Sequence, residues 1–361
     1  MKKIVSFFAF VAIVLTFAAC GGNNDGNAPV IPNFGIKPQA LANKGQLVVQ
    51  PANADVTYLA WATSKNSIGE FDLRYVAEQY IGQKAYSTWS ANQELLVGKN
   101  VIPLHNLNQN AEYVAFACYV KPDEFDNTVI DGELITQPFK TMPAGVLNGA
   151  FSVSDTKRVY FRECNYYESS NGYVSKPQWW YLEISDDSPR DLFEWSTTQK
   201  EYFKDPDHCI LEAKEWYYLF RERPNADHLF AQATVNNNEG LIILPDNWDP
   251  DGLKLTTGFD MGVLWDAEKL NYEESVHQVY FNGYNENKIS ETAWEAYELA
   301  GAVFLPASKN YQGEYWSSTD DSDDNAFYLH FGKWYLHLRN LSETVDPKSN
   351  SKAIRPVYVI R

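Results

Sequence analysis

The chain changes character once, at Met142-Pro143-Ala144-Gly145, and that break governs what it can fold into. Before it, from about Ile36 to Thr141, short β-rich runs alternate with turn residues. Leu47-Val48-Val49-Gln50 and Val56 to Thr63, separated by Pro51 and Asn53, are examples. After it, from Gly149 to Arg361, tryptophan and tyrosine are dense and helical periodicity appears. At 361 residues the chain exceeds what one hydrophobic core ordinarily serves. The expectation is a β-rich two-domain protein: a sandwich over 39–142, a linker, and an α+β domain over 149–361. Hydrophobic residues at 45% and aromatics at 15% exclude disorder as the overall class. A net charge of −17 with no basic stripe opposes nucleic acid, so no nucleic-acid partner is expected.

In the first half, Glu112 to Val120 alternates large apolar with small residues, as a sandwich strand does. Just ahead of it, Leu107 precedes Tyr113, which opens the strand, by six residues. This spacing resembles the tyrosine corner of immunoglobulin-like sandwiches. Ala111 to Tyr119, closed by Ile135 to Thr141, looks like the last two strands of a fibronectin type III module, with Gln109 and Asn110 replacing the usual proline and glycine of the corner. The resemblance implies a spacer or docking sandwich rather than a catalyst.

In the second half, Trp216, Leu219, Phe220 and Arg223 share one face of a helix expected from about Leu211 to Arg223, and Pro224 stops it. A second helix is expected over Ala293–Ala300, with Thr292 and Glu295 as a capping box and Gly301 at its end. Phe327 to Phe331 and Trp334 to Leu338 are alternating aromatic runs joined by Gly332-Lys333, the pattern of a hairpin with a type II′ turn. The ordered blocks Gly149-Ala150-Phe151-Ser152-Val153-Ser154, Lys214-Glu215-Trp216, Gly240-Leu241-Ile242-Ile243-Leu244-Pro245-Asp246, Gly301-Ala302-Val303-Phe304-Leu305-Pro306-Ala307, Tyr315-Trp316-Ser317-Ser318 and Ile354-Arg355-Pro356-Val357 resemble the Fibrobacter succinogenes major paralogous domain of Bacteroidetes lipoproteins. That resemblance implies a C-type-lectin-like fold, with two helices and a small mixed sheet closed by the final strand. Asp246 to Lys288 reads as an elaborated loop.

The N-terminus has Lys2 and Lys3, an apolar run from Ile4 to Phe17, then Ala18-Ala19-Cys20-Gly21-Gly22. This is a secretory leader pattern over 1–19, too short to span a bilayer. A cysteine after small residues resembles the lipobox of bacterial lipoproteins and implies cleavage before Cys20 and lipidation of that residue. Residues 20–38 then read as a flexible Gly/Asn/Pro tether, and the expected location is the outer membrane, through the Cys20 lipid, with the periplasmic or cell-surface side open.

Cys118 sits in a strand-like run and reads as a buried small hydrophobe, while Cys164 and Cys209 are left either to pair or to stay reduced. Asp320, Asp321, Asp323 and Asp324 offer a weak calcium site or a solvated acidic loop. No cofactor is expected. The six histidines lack obvious catalytic partners, and no phosphate loop or nucleophile elbow is present. On the hairpin, the leucines and phenylalanines are expected to face the core, leaving Tyr335, His337 and Arg339 as a ligand-binding patch or as half-buried strand residues. Trp216, Trp316 and Arg355 read as scaffold. The expected function is non-catalytic binding of a glycan or envelope protein. The alternatives are a structural subunit of an envelope or pilus assembly and, third, an enzyme.

Overall fold

The structure, a computed structural model, describes residues 34–84, 89, 94–168, 176–183, 185, 190–249, 253–258, 260, 264–265, 276–281, 283, 286–308, 310–320, 324–339 and 350–360. The leader, Cys20, Asp321 and Asp323 lie outside the described residues. The chain divides into two compact units, Met1–Ala144 and Gly145–Arg361.

Unit 1 contains β1 (Gly35–Ala40), β2 (Lys44–Gln50), β3 (Tyr58–Ser64), α1 (Lys65–Ile68), α2 (Leu73–Lys84), β4 (Asn100–His105), β5 (Glu112–Pro122) and β6 (Thr128–Lys140). The strands form two antiparallel sheets, ordered β1-β2-β4 and β3-β5-β6. Leu47, Val49 and Leu104 of the first sheet pack with Tyr58, Tyr113, Ala115, Ala117 and Phe139 of the second in one buried cluster, which makes the unit a β-sandwich. The alternation read from β5 sends Tyr113, Ala115 and Ala117 into this cluster. The Tyr113 hydroxyl accepts a hydrogen bond from the Asn108 backbone N–H at 3.3 Å, with Leu107 buried in the same cluster. β1 begins at Gly35, so the last part of the expected tether is strand, paired along its length with β2.

The opposite face of β5 is equally buried. Val114, Phe116, Cys118 and Val120 join Leu59 and Trp61 of β3 against Ile68, Ala77 and Ile81. The cover is α2, in a stretch where strands and turns were expected. Its start is set by Asp72, whose Oδ1 accepts the backbone N–H groups of Arg74 (2.9 Å) and Tyr75 (3.1 Å). Leu73, Val76, Ala77, Tyr80 and Ile81 supply its apolar face. The Trp61 ring lies between Tyr80, at 4.4 Å and 6° between planes, and Phe116, at 5.1 Å and 2°.

Unit 2 contains β7 (Val146–Ser152), β8 (Arg158–Arg162), α3 (Ala213–Tyr217), β9 (Phe230–Val235), β10 (Asn238–Ile243), β11 (Leu264–Trp265), β12 (Val276–Tyr280), β13 (Lys288–Ile289), α4 (Glu291–Leu299), β14 (Val303–Pro306), β15 (Gly313–Asp320), β16 (Ala326–Gly332), β17 (Tyr335–Arg339) and β18 (Val357–Val359). Its sheets are β18-β8-β7, β13-β9-β10-β14 and β11-β12-β17-β16-β15, antiparallel except for the short β13–β9 pair. β11 and β12 extend the last sheet through the stretch that reads as loop. α3 is one turn long and runs on as a π turn, Tyr218–Glu222, which ends before Pro224. Glu212 and Glu215 cap it reciprocally.

Two local expectations are corrected. α4 starts at Glu291 because the Ser290 hydroxyl, not Thr292, accepts the backbone N–H of Ala293. In the hairpin, Gly332 pairs with Tyr335, so Lys333-Trp334 make the turn. Gly332 is required for clearance, since a Cβ there would lie 2.7 Å from the Tyr335 ring.

Burial pushes the Cys118 thiol up to about 12, so a thiol reagent at pH 8 should leave it unmodified until unit 1 unfolds. Rapid modification of the native protein would contradict the sheet–helix layer. A Cβ at Gly149 would fall 2.2 Å from the carbonyl oxygen of Gly301, which is itself held at φ +97°. Gly149→Ala should destabilise unit 2 by about 1–3 kcal/mol in denaturant titrations and leave the unit 1 transition in place.

Candidate functional site

The interior of unit 2 holds two buried guanidinium groups, each hydrogen-bonded to backbone carbonyls and to polar side chains. Arg223 donates from Nε to Leu219 O (2.7 Å), from Nη1 to Leu244 O (2.9 Å) and Asp246 Oδ1 (3.1 Å), and from Nη2 to Leu229 O (3.1 Å). Burial brings its guanidinium down to about 10, and Asp246 opposes that shift. Asp246 in turn accepts the backbone N–H and the hydroxyl of Ser152. Arg355 donates from Nη1 to Asn165 Oδ1 (3.2 Å) and from Nη2 to Gln178 Oε1 (3.0 Å) and Phe304 O (3.2 Å). These charges crosslink the scaffold and are buried.

Lys352 is different. Three residues before Arg355, it is 4% exposed, its Nζ lies 3.1 Å from Glu314 Oε2, and it stands 4.1 Å from the centre of the Tyr328 ring and 5.3 Å from that of Trp316. Backbone hydrogen bonds between Lys352 and Phe193 run in both directions at 2.9 Å, and Trp316 N–H donates to Ala353 O, so the segment is held on both sides. Lys352 and Glu314 also line a cavity of about 260 Å³. The rest of the described lining is Tyr181, Glu183, Leu192, Ser308, Asn310, Gln312 and Ser351. Burial raises the Tyr181 hydroxyl above the ordinary tyrosine range, so it is a neutral donor. The 308–312 loop is closed on itself: Ser308 N–H donates to Gln312 O (2.7 Å) and Tyr311 N–H to Ser308 O (2.9 Å). Tyr311 pays for this closure with φ +65° and leaves its ring 54% exposed.

The hairpin residues sit on the same sheet. Tyr328, His330, Tyr335 and His337 are cross-strand neighbours on one face, continued on β15 by Trp316 and Glu314. Tyr335 OH and His330 Nε2 are 3.0 Å apart. Of the two readings of Tyr335, His337 and Arg339, the structure shows strand residues that are half-buried at Tyr335 and buried at His337. His337 is 6% exposed, with its ring stacked on Tyr335 at 4.6 Å and edge-on to His330 at 6.1 Å. Tyr335 is half-buried, and Arg339 is placed by its backbone pairing with Val276 and Tyr328 while its side chain lies outside the description. The aromatic side chain exposed at the hairpin tip is Trp334, 54% accessible. Phe327, Leu329 and Phe331 are buried on the other face, as are Trp216, Trp316 and Arg355 in the scaffold.

The remaining candidates fall away from the cavity. Asp320 and Asp324 are exposed, and among the described residues no group of three metal-ligating side chains converges. Cys118, Cys164 and Cys209 form no disulfide, and Cys209 Sγ instead faces Val357 O at 3.8 Å. A second cavity of about 440 Å³ in unit 1 is lined mostly by apolar side chains, among them Trp61, Tyr80, Leu96 and Leu104. Comparison of the chain with protein-family models, curated proteins and solved structures finds no match.

Lys352 and Gln312 lack any motif that marks them in the sequence; only their position around the aromatic Tyr315-Trp316 strand brings them together with Tyr181. Burial holds the Lys352 ammonium below the ordinary lysine range, and Glu314 counteracts this. Between that lowered value and about 10.4 the unfolded chain binds a proton the folded one has released, so stability rises with pH across the window. The stability gap between the parent and Lys352→Met should therefore shift in favour of the parent from pH 7 to pH 10 in denaturant titrations. An unchanged gap would mean that the ammonium is solvated.

Proposed function

We propose that this chain is a lipid-anchored cell-envelope protein, held to the outer membrane through Cys20, whose second unit binds an extracellular ligand without catalysing a reaction. Unit 1 is read as a fibronectin type III-like spacer. In support, its strands pair as first-second-fourth and third-fifth-sixth, and Tyr113 hydrogen-bonds back to the turn before its strand. Unit 2 is read as C-type-lectin-like, supported by its two helices, its small sheets and the final strand β18 paired with β8. Fold alone assigns no ligand. The observation that carries the binding role is the polar cavity of about 260 Å³ with the buried Lys352–Glu314 pair in its lining. The second reading, a structural subunit of an envelope or pilus assembly, is favoured by Phe71, Tyr75 and Phe125, exposed large side chains on unit 1.

Two measurements test the proposal. Cells fed an alkyne fatty acid should label the parent and not Cys20→Ser; equal labelling would remove the anchor. Arrays of glycans and purified envelope proteins should give hits that Gln312→Ala weakens at least fivefold and Tyr75→Ala leaves alone. Hits lost with Tyr75→Ala and kept with Gln312→Ala would favour the assembly reading.

A further inference from the structure

We infer that the cavity beside Lys352 takes a neutral, polyhydroxylated ring, the chemistry of one uncharged sugar unit, and rejects anionic ligands. The inference rests on the binding role proposed for unit 2 and specifies its ligand. Three features of the lining carry it. First, the wall is built from groups that both donate and accept: the Ser308 and Ser351 hydroxyls and the Asn310 and Gln312 amides. Hydroxyl groups on a ligand also do both, so each finds a partner in either direction, whereas an apolar ligand would strand these groups. Leu192 is the one aliphatic side chain among the described lining residues.

Second, the charge is wrong for an acid. The lining holds two carboxylates, Glu183 and Glu314, against one ammonium, and that ammonium is already engaged by Glu314 at 3.1 Å and by the Tyr328 ring. A carboxylate or phosphate entering here meets net negative charge in a chain of net charge −17. Third, the size fits a single ring. About 260 Å³ lies just below the roughly 300–1,000 Å³ of drug-sized pockets.

The test is saturation-transfer NMR on the full-length protein in detergent. The probes are free galactose, mannose and N-acetylglucosamine, with glucuronate and N-acetylneuraminate as anionic counterparts. At least one neutral sugar should show transfer with a Kd of order 1 mM, and the two acids should show none. Asn310→Ala and Gln312→Ala, both at exposed positions, should each weaken the neutral sugar about five- to tenfold. Trp334→Ala, at the hairpin tip, should not. Silence from every neutral sugar, equal binding of the acids, or transfer indifferent to Asn310 and Gln312 would overturn the inference. If the sugars are silent while array hits still depend on Gln312, the ligand class is wrong and the binding role stands. If those hits are absent or indifferent to Gln312 as well, both fail.

Discussion

Unit 2 depends on one buried cation, Arg355. A guanidinium at 1% exposure needs fixed acceptors, and those of its Nη1 and Nη2 belong to three separated parts of the chain: Asn165 after β8, Gln178, and the backbone of β14 at Phe304. Gln178 extends the network, accepting the Phe304 N–H at 2.7 Å and donating to Ala302 O, while Asn165 donates to the Tyr315 hydroxyl, which donates to Pro306 O. Removing any one acceptor leaves buried charge unsatisfied. The C-terminal segment is thereby fixed at the centre of its unit, and β18 pairs with β8 as a consequence. Lys352 lies on the same segment, so the clamp at Arg355 also sets the position of the cavity's ammonium.

Unit 1 solves a different problem. β5 is buried on both faces, which an antiparallel sandwich strand ordinarily is not. Tyr113, Ala115 and Ala117 close one layer and Val114, Phe116 and Cys118 the other, so the strand needs a cover on its outer side. α2 provides it, and the Tyr80–Trp61–Phe116 stack fixes the helix on the sheet. The helix sits between β3 and β4 in sequence, so the outer face of the β3-β5-β6 sheet is served by a local insertion and not by a distant element.

What the sequence revealed follows from which signals are local. Strand alternation at Glu112 to Val120, the Leu107–Tyr113 spacing and the aromatic hairpin were legible because each is set by neighbouring residues. α2 escaped the sequence reading although its signal is local: Asp72 followed by Leu73, Val76, Ala77, Tyr80 and Ile81 is a capped amphipathic helix, obscured by the β-rich runs around it. The turn of the hairpin was placed one residue early because Gly332 looked like a turn glycine, whereas it is small to admit the Tyr335 ring. The burial of His337 was not legible, because alternation names the two faces of a strand but not whether a second layer covers the polar one. The cavity was invisible for a related reason. Its residues come from four separate stretches, and Lys352 becomes distinctive only when Glu314, Trp316 and Tyr328 surround it.

The segment from Ser351 to Val357 is part of the rigid core of unit 2, locked by Arg355, and the cavity is therefore preformed. Native-state hydrogen exchange tests it most directly. The amides of Lys352, Phe193, Trp316 and Val357, each donating to a backbone carbonyl, should open with the same free energy as the β15–β16 ladder, in one cooperative unit. Exchange at Lys352 and Val357 faster than in that ladder by orders of magnitude would mean that the segment opens by itself, and the account of both the clamp and the site would fail.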